Sequence, residues 1–290
     1  MRFSLLEPLP PSLAAPLAAL RQQLAALDQV VVAYSGGVDS ALVAALAVEQ
    51  RGAAALAITG VSPALAPHLR QEARLQAAWL GLRQREIPTA ELQDPAYAAN
   101  PERRCYACKR ELHTLLAPVA AAAGGIPVLD GVNLDDLGDH RPGIEAAREF
   151  GVCSPLADLG IDKAAVRQLS RALGFPWWDK PAQPCLASRF PYGEPITATR
   201  LQRVAAAEAW MRERGLRDLR VRSQGETARI ELEGPALPEF LARLGATPTE
   251  TGEVGFREQL VEALRALGFT AVSLDLEGLV SGKLNRSLRS

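Results

Sequence analysis

The chain has 290 residues and a formal net charge of −1 at pH 7, and 48 % of its residues are hydrophobic. This length predicts about two domains with ordinary buried cores. The near-neutral charge excludes the strong overall basic field that attracts nucleic acid, although a local basic patch remains open. No hydrophobic run reaches the roughly 18 residues that indicate a membrane-spanning helix.

The N-terminal stretch MRFSLLEPLPPSLAAPLAAL is interrupted early by Glu7 and by three prolines. We therefore interpret it as the lead-in to an amphipathic helix that ends near Leu27, and not as a signal peptide. Four unevenly spaced cysteines in a chain of this length are not typical of a disulfide framework. The expected location is the reducing cytoplasm.

Strands and helices alternate through the first half of the sequence. The stretch QVVVAYSGG predicts a buried strand followed by a sharp turn, because a β-branched run meets two glycines. The elements that follow are a helix over 38–50, a strand at AALAITG, a helix at HLRQEARLQAAWLG, a strand near QREIP, a helix over 108–123 after a cysteine-bearing loop, and a strand at IPVLDG. This alternation predicts an α/β fold in which a parallel sheet carries helices on both faces.

The pattern changes in the last third of the chain. A helix over 162–173 precedes the Pro- and Trp-rich stretch GFPWWDKPAQPC. The elements after it are a helix over 198–214, two strands at DLRVRSQ and TARIELEG joined by a glycine turn, two short helices, and a strand at TAVSLDLEG. We predict a first domain over 1–193 and a small α+β domain over 194–290.

The stretch SGGVDS lies where a predicted strand passes into a predicted helix, a place suited to binding phosphate. Its candidate binding residues are Ser35, Gly36, Gly37, Asp39 and Ser40. The glycines let a phosphate approach the backbone, and the helix N-terminus presents N–H groups to it. Asp39 suits the Mg²⁺ that accompanies a nucleotide. The alternative is an ordinary capped turn without a ligand, in which these side chains only accept hydrogen bonds from helix N–H groups.

Polar residues also follow the predicted strand IPVLDG. Asp130 and Gly131 end this strand at the edge where nucleotides bind in open α/β sheets. Asn133, Asp135 and Asp136 have the chemistry to contact ribose or Mg²⁺, but they are equally typical of a turn.

The stretch PERRCYACKREL contains Cys105 and Cys108. This spacing serves redox exchange, zinc binding and iron–sulfur binding alike. Three cations lie beside the pair: Arg103, Arg104 and Lys109. They either lower the pKa values of the two thiols or are solvated charges without a role.

SGGVDS resembles the PP-loop of the ATP pyrophosphatases, which cleave ATP between its α and β phosphates. Five further stretches support a narrower resemblance: ITGVSPALAP, RCYACK, DGVNLDDLGDHRPG, DKPAQPCLASRFPYGEPIT and LRVRSQGETARIEL. Together they resemble the LarE family of ATP-dependent sulfur transferases, from about residue 18 to the C-terminus. The resemblance implies an adenine nucleotide alpha hydrolase-like fold. It also implies adenylylation of pyridinium-3,5-biscarboxylic acid mononucleotide and its conversion to thiocarboxylates, for the nickel-pincer nucleotide cofactor of lactate racemase.

The resemblance also implies roles for individual residues. The SGGVDS residues would bind the pyrophosphate of ATP, with Asp39 on Mg²⁺, and Asp130 and Asn133 would lie beside the nucleotide. The residues expected around the substrate are Ser188, Arg189, Glu208, Arg220 and Arg222. Arginines two apart on a strand share a face and suit phosphate, although a solvated basic face is the alternative. Glu208 is equally typical of an exposed helix position.

For the sulfur chemistry, the resemblance implies two subtypes. In the sacrificial subtype, a cysteine one position before the equivalent of Cys185 gives up its sulfur, but this chain has Pro184 there. In the other subtype, Cys105, Cys108 and Cys185 hold a 4Fe–4S cluster with one open iron. A persulfide or consumed thiol at Cys185 is one alternative, and zinc with His113 as fourth ligand is another. Cys153 is expected to be a small buried hydrophobic residue.

Functions from other classes remain as alternatives. A tRNA thiolase shares the PP-loop and the three cysteines, but it would carry a basic, aromatic-bearing surface. An ammonia-using amidating enzyme would leave the cysteines without a role, and a non-catalytic nucleotide-binding module would not need Asp39 with three cysteines. The expected partners are a pyridinium nucleotide, sulfide or a sulfur-delivery protein, and further copies of the chain. No nucleic acid and no membrane are expected.

Overall fold

The computed structural model describes residues 3–138, 142–246, 254–280 and 282–288. The chain forms two compact units. The first unit comprises Met1–Tyr97 and Arg103–Gln183, and the second comprises Ala98–Glu102 and Pro184–Ser290. The domain boundary predicted between residues 193 and 194 stays a prediction, and the compact units divide between Gln183 and Pro184.

A four-stranded parallel sheet forms the centre of the first unit. Its strands are β1 (Val30–Ala33), β2 (Ala55–Val61), β3 (Arg83–Pro88) and β4 (Val128–Leu129). Their order in the sheet is β3–β2–β1–β4, and Val32 of β1 lies beside Ala57 on one side and Leu129 on the other. The predicted α/β class with a parallel sheet is confirmed.

Helices flank this sheet. They are α1 (Pro11–Ala25), α2 (Val38–Arg51), α3 (Pro67–Leu80), α4 (Pro95–Ala98), α5 (Arg104–Ala122), α6 (Leu134–Leu137), α7 (Pro142–Glu149), α8 (Pro155–Asp158) and α9 (Lys163–Ala172). Strand β1 contributes to two separate cores, because successive side chains point to opposite faces of a sheet. Val30 and Val32 pack with helices α1, α2, α3 and α9, whereas Val31 and Ala33 pack with α5. The alternation therefore explains why this short strand is apolar at every position.

Two local differences from the sequence-based expectations affect the site. Helix α5 begins at Arg104, so Cys105 lies in its first turn and not in a preceding loop, and Cys108 begins its second turn. The residue before it, Arg103, makes no side-chain capping hydrogen bond, so the usual sequence signal for a helix start is missing. Cys153 is exposed, so the expectation that it is buried was wrong. Its backbone forms an isolated parallel β-bridge with Leu129.

Among its described residues, the second unit contains three α-helices and a three-stranded sheet. These elements are α10 (Ala198–Glu213), β5 (Leu219–Gln224), β6 (Thr227–Leu232), α11 (Leu237–Gly245), α12 (Phe256–Ala266) and β7 (Ala271–Leu274). Strands β5 and β6 are antiparallel, and β7 runs parallel to β6. A 3₁₀ helix over Leu186–Arg189 precedes them, and another over Lys283–Leu288 follows. A separate small domain for substrate binding or oligomerisation stays a prediction.

In the described parts of the chain, no helix combines the length and the apolar character needed to cross a membrane.

Candidate functional site

The SGGVDS loop of the first unit connects β1 to the N-terminus of α2. Gly36 has a φ of +72°, and a Cβ at this position would lie 2.8 Å from the Cβ of Ala73 in α3. Only glycine therefore fits this turn without moving its neighbours. The hydroxyls of Ser35 and Ser40 lie 3.0 Å apart, and the backbone N–H of Gly37 donates to Ser35 Oγ at 3.3 Å. These hydrogen bonds fix the conformation of the loop, which directly follows the buried Tyr34.

The stretch after β4 lies directly against this loop. A Cβ on Gly131 would lie 2.5 Å from the backbone nitrogen of Ser40, so the absence of a side chain permits the close approach. Asp130, next to it, is buried, and its Oδ1 accepts from the backbone N–H of Val132 at 3.1 Å. Burial raises the pKa of Asp130, although that N–H, the Ser154 hydroxyl and the charge of Lys109 oppose the rise. The strand therefore ends in a carboxyl group that costs free energy to keep ionised.

Asp39, in the first turn of α2, is held on both carboxylate oxygens. Asn133 Nδ2 donates to Oδ1 at 3.1 Å, and Lys163 Nζ forms an ion pair with Oδ2. The side chain is 18 % exposed, so it stays accessible to a ligand. Carboxylate oxygens are the ligands that Mg²⁺ prefers, and Asp39 therefore fits the role predicted from the sequence.

The three polar residues after Gly131 act mainly on the backbone. Asn133 Oδ1 accepts from the N–H groups of Asp135 and Asp136, and Asp136 Oδ2 accepts from the N–H of Asn133. This is a capping box at the start of α6. These hydrogen bonds are those of a turn, and Asn133 additionally orients Asp39; contact of these residues with ribose or Mg²⁺ stays a prediction.

Two lysines of the first unit contact the same loop, and the sequence analysis missed both. Besides Lys163, Lys180 Nζ donates to the carbonyl oxygen of Gly36 at 3.0 Å and pairs with Glu72 at 2.8 Å. Lys180 lies in the stretch DKPAQPCLASRFPYGEPIT, but the resemblance implied no role for it, and Lys163 lies in a predicted helix with no motif around it. The composition carries the one usable signal, since lysine is rare in this chain.

In the second unit, Arg189 and Glu208 form a buried ion pair. Arg189 Nε and Nη2 donate to the two oxygens of Glu208, and Nη1 donates to the carbonyl oxygen of Pro184 at 2.9 Å and to Ser188 Oγ at 3.0 Å. Burial by itself opposes the ionisation of Glu208, but the charge and hydrogen bonds of Arg189, aided by Arg212, hold the pKa of Glu208 below its ordinary value. The alternative of an exposed helix glutamate is excluded, because Glu208 is fully buried, and its place beside the substrate stays a prediction.

The two arginines of β5 differ sharply in their surroundings. Arg222 is buried, pairs with Glu231 at 2.8 Å and donates from Nη1 to the carbonyl oxygen of Ser188. Arg220 is half-buried, and among the described residues it has no hydrogen-bond or ion-pair partner. Burial, followed by the charges of Arg189 and Arg222, lowers the pKa of Arg220 to about 10. Of the three arginines Arg189, Arg220 and Arg222, Arg220 is therefore the one that pairs with no carboxylate among the described residues.

The candidate cluster ligands are divided between the units. Cys105 and Cys108, three positions apart at the start of α5, share a helix face in the first unit, and Cys185 is exposed in the second. All four cysteines lie in the described residues, and none forms a disulfide. Within the described part of each unit, no three His, Cys, Asp or Glu side chains converge as metal ligands would.

His113 does not complete a zinc site. Its ring is 1 % exposed, packs 6.1 Å from the ring of Phe150, and has no hydrogen-bond partner on either nitrogen. Burial, followed by the charge of Lys109, lowers its pKa to about 4. Since Cys105 is exposed and no three such side chains converge in this unit, the described residues do not support zinc held by Cys105, Cys108 and His113.

Comparisons with known proteins give three relatives that align over most of the chain. It is 52 % identical over 269 residues to the uncharacterized protein slr1717 of Synechocystis sp., covering 93 % of this chain and 96 % of the relative. It is 34 % identical over 278 residues to the pyridinium-3,5-bisthiocarboxylic acid mononucleotide synthase of Lactiplantibacillus plantarum, covering 96 % of both. It is 26 % identical over 249 residues to the uncharacterized protein MJ0830 of Methanocaldococcus jannaschii, covering 86 % and 90 %. No protein-family model matches the chain.

Proposed function

This chain belongs to the LarE family, and we propose that it is an ATP-dependent sulfur transferase acting on pyridinium-3,5-biscarboxylic acid mononucleotide. The observation that carries the proposal is the loop between β1 and α2, where serine hydroxyls, a required glycine and a pre-oriented Asp39 meet. This arrangement supports binding of a Mg²⁺-nucleotide, and the whole-length similarity to a named synthase supports the acceptor.

In the first step, a carboxylate oxygen of the substrate attacks the α-phosphorus of ATP. The bond from that phosphorus to its bridging oxygen breaks, and pyrophosphate leaves with the electron pair, giving an acyl adenylate. The N–H groups at the start of α2 and the hydroxyls of Ser35 and Ser40 would hold the phosphates. Asp39, oriented by Asn133, would hold Mg²⁺, which neutralises the charge that develops on the leaving group.

The arginine cluster of the second unit would hold the phosphate of the substrate or of the adenylate. We assign this contact to Arg220, because Glu208 and Glu231 already neutralise Arg189 and Arg222. Those two paired arginines act on the chain itself, where they hold the carbonyl oxygens of Pro184 and Ser188. They would thus fix the loop that carries Cys185 and leave Arg220 to recognise the anion.

In the second step, hydrosulfide displaces AMP from the acyl adenylate and leaves a thiocarboxylate. We propose that Cys105, Cys108 and Cys185 hold a 4Fe–4S cluster, which when bound supplies an open coordination position for sulfide. Cysteine binds iron as the thiolate, so all three thiols would lose their protons when the cluster is bound. A persulfide or a consumed thiol at Cys185 is the alternative that this exposed residue leaves open.

The remaining expectations belong to the same proposal. They are a cytoplasmic homo-oligomer, a supply of sulfide or a sulfur-delivery protein, and no nucleic-acid partner. A tRNA thiolase stays the second candidate function, but the net charge of −1 provides no overall attraction to a polyanion.

The experiment is anaerobic purification followed by measurement of iron and acid-labile sulfide per chain, then incubation with ATP, sulfide and the biscarboxylate mononucleotide. We expect AMP, pyrophosphate and a thiocarboxylate product identified by mass. The Cys153→Ala variant is the control, because this cysteine is exposed but has no proposed role. A wild-type protein that forms neither AMP nor a sulfur-containing product would overturn the proposed function.

A further inference from the structure

Two ammonium groups approach the SGGVDS loop from different segments of the first unit. Lys163 lies at the first position of α9, and its Nζ pairs with Asp39. Lys180 lies in the loop after that helix, and its Nζ donates to the carbonyl oxygen of Gly36 at 3.0 Å. Both therefore place a positive charge on the loop that is proposed to bind phosphate.

The backbone around Lys163 is fixed by acidic side chains. Asp162 caps α9 by accepting from the N–H of Ala165 at 2.7 Å, and Asp135 Oδ2 accepts from the N–H of Lys163 at 3.0 Å. The side chain remains 30 % exposed. Its base is thus held in place, while its ammonium group is free to exchange one oxygen partner for another.

The partners of Lys180 are weaker than those of a structural ion pair. One is a backbone carbonyl, and the other is Glu72, whose side chain is 42 % exposed. Exposed ion pairs of this kind contribute little to stability. The Lys180 side chain is only 12 % exposed, so its ammonium group is largely removed from water. An anion of high charge density, such as a phosphate, would therefore interact strongly with it.

The choice of lysine at these positions is notable in this composition. The chain has 32 basic residues, of which only Lys109, Lys163, Lys180 and Lys283 are lysine. Two of these four contact the same loop. Lysine carries a compact point charge with three donors, whereas arginine presents a planar fork that needs more room. Nearly every other cation of the chain is arginine, so the two lysines place compact charges at the one loop that is proposed to bind phosphate.

We propose that Lys163 and Lys180 form the subsite for the β and γ phosphates of ATP and for the pyrophosphate that is released. This inference rests on the proposed function. Without ligand, the Lys163 ammonium pairs with Asp39, and the Lys180 ammonium contacts Glu72 and the Gly36 carbonyl oxygen. When the nucleotide binds, Asp39 would hold Mg²⁺, and the ammonium groups of the two lysines would turn to phosphate oxygens. They then stabilise the charge that pyrophosphate gains as the bond to the α-phosphorus breaks.

The test is calorimetric titration of the purified full-length protein with three probes: Mg²⁺-pyrophosphate, Mg²⁺-ATP and AMP. Lys163→Met and Lys180→Met should each weaken binding of pyrophosphate and ATP by about 10- to 100-fold, the range for a lost charge-assisted hydrogen bond. AMP lacks the two outer phosphates, so its affinity should change by less than about twofold.

Two further variants keep the result interpretable. Arg83→Met removes a positive charge from an exposed position on β3, and it should leave the affinity for all three probes unchanged. Glu72→Gln removes the competing carboxylate, so it should tighten binding of pyrophosphate by about two- to fivefold. A gain in affinity cannot come from a misfolded protein.

The outcomes separate this inference from the proposed function. Wild-type protein that binds neither ATP nor pyrophosphate would overturn both. Wild-type protein that binds them, with lysine variants that bind them equally well, would overturn the lysine subsite alone. Equal weakening of AMP would also overturn it, because the lysines would then act through the conformation of the loop.

Discussion

Arg189 and Glu208 meet through two parallel hydrogen bonds, with Nε to Oε1 at 2.8 Å and Nη2 to Oε2 at 3.1 Å, and both side chains are buried. Glu208 also accepts from the backbone N–H of Val221 at 3.1 Å, so it joins α10 to β5. The pair therefore positions the 3₁₀ helix that follows Cys185, and neither member is a solvated surface charge.

We expect Glu208→Gln to lower the free energy of unfolding by about 3–5 kcal/mol, because it leaves the buried Arg189 without a counter-charge. Urea unfolding monitored by tryptophan fluorescence measures this change. Glu213→Gln is the matched control, since Glu213 lies on the same helix but is 74 % exposed, and its change should stay below about 1 kcal/mol. Similar values for both variants would contradict the buried pair.

Arg220 should behave in the opposite way. It has no partner among the described residues and lies near the like charges of Arg189 and Arg222, so Arg220→Met should not lower the free energy of unfolding by more than about 1 kcal/mol. Binding of the mononucleotide substrate should nevertheless weaken by about 10-fold or more, because a phosphate contact is lost. Titration calorimetry and urea unfolding on the same preparation provide both values.

Arg222→Met is the comparison for that variant. It leaves the buried Glu231 without the arginine that pairs with it at 2.8 Å, so it should lower stability by about 3–5 kcal/mol. If Arg220→Met proved as destabilising as Arg222→Met while substrate affinity stayed unchanged, Arg220 would have a structural role and no ligand.

The sequence predicted the strand–turn–helix conformation of the SGGVDS loop correctly because all of its parts are local: a β-branched strand, two glycines and a helix start are contiguous. The lysines escaped prediction because Lys163 is 124 residues from Asp39 in sequence, and only the fold brings them together. Burial was equally invisible, since Glu208 reads as an ordinary helix glutamate until β5 covers it. For the same reason Arg220 and Arg222 looked equivalent, although one is paired and the other is not.

Asp130 gives a pH-dependent expectation. Its pKa in the folded chain is raised by burial, so the folded state favours the protonated carboxyl, and stability falls as the pH rises through that pKa. Asp130→Asn cannot ionise, and it should be more stable than wild type at pH 7. The difference should shrink as the pH falls below the ordinary aspartate value, where both states of the wild type are protonated. Urea unfolding at several pH values tests this, and a difference that grew toward low pH would contradict it.

Gly131 tests the contact between the stretch after β4 and the phosphate loop. Gly131→Ala would place a Cβ 2.5 Å from the backbone nitrogen of Ser40, where no side chain is able to yield. We expect a loss of about 1–3 kcal/mol in stability and at least about 10-fold weaker ATP binding, because the loop must shift. Gly138→Ala is the control, since its Cβ would meet only an ordinary contact at 3.6 Å. Equal ATP affinity in the two variants would show that the loop tolerates displacement.

Cys185 separates the two chemical steps. Adenylylation depends on the phosphate loop, whereas the thiols are needed only when sulfur replaces AMP. Cys185→Ser should therefore continue to release pyrophosphate with the mononucleotide substrate. Formation of the thiocarboxylate should fall by about 100-fold or more, because the residue that takes part in sulfur transfer is missing. Pyrophosphate release and product mass are measured in the same reaction, and Cys153→Ala should match wild type in both.

Thiocarboxylate formed at the wild-type rate by Cys185→Ser would exclude this cysteine both as a cluster ligand and as a sulfur carrier. Loss of pyrophosphate release together with the product would instead place Cys185 in the adenylylation step, where its exposed loop, held by Arg189, would have to shape the acceptor site.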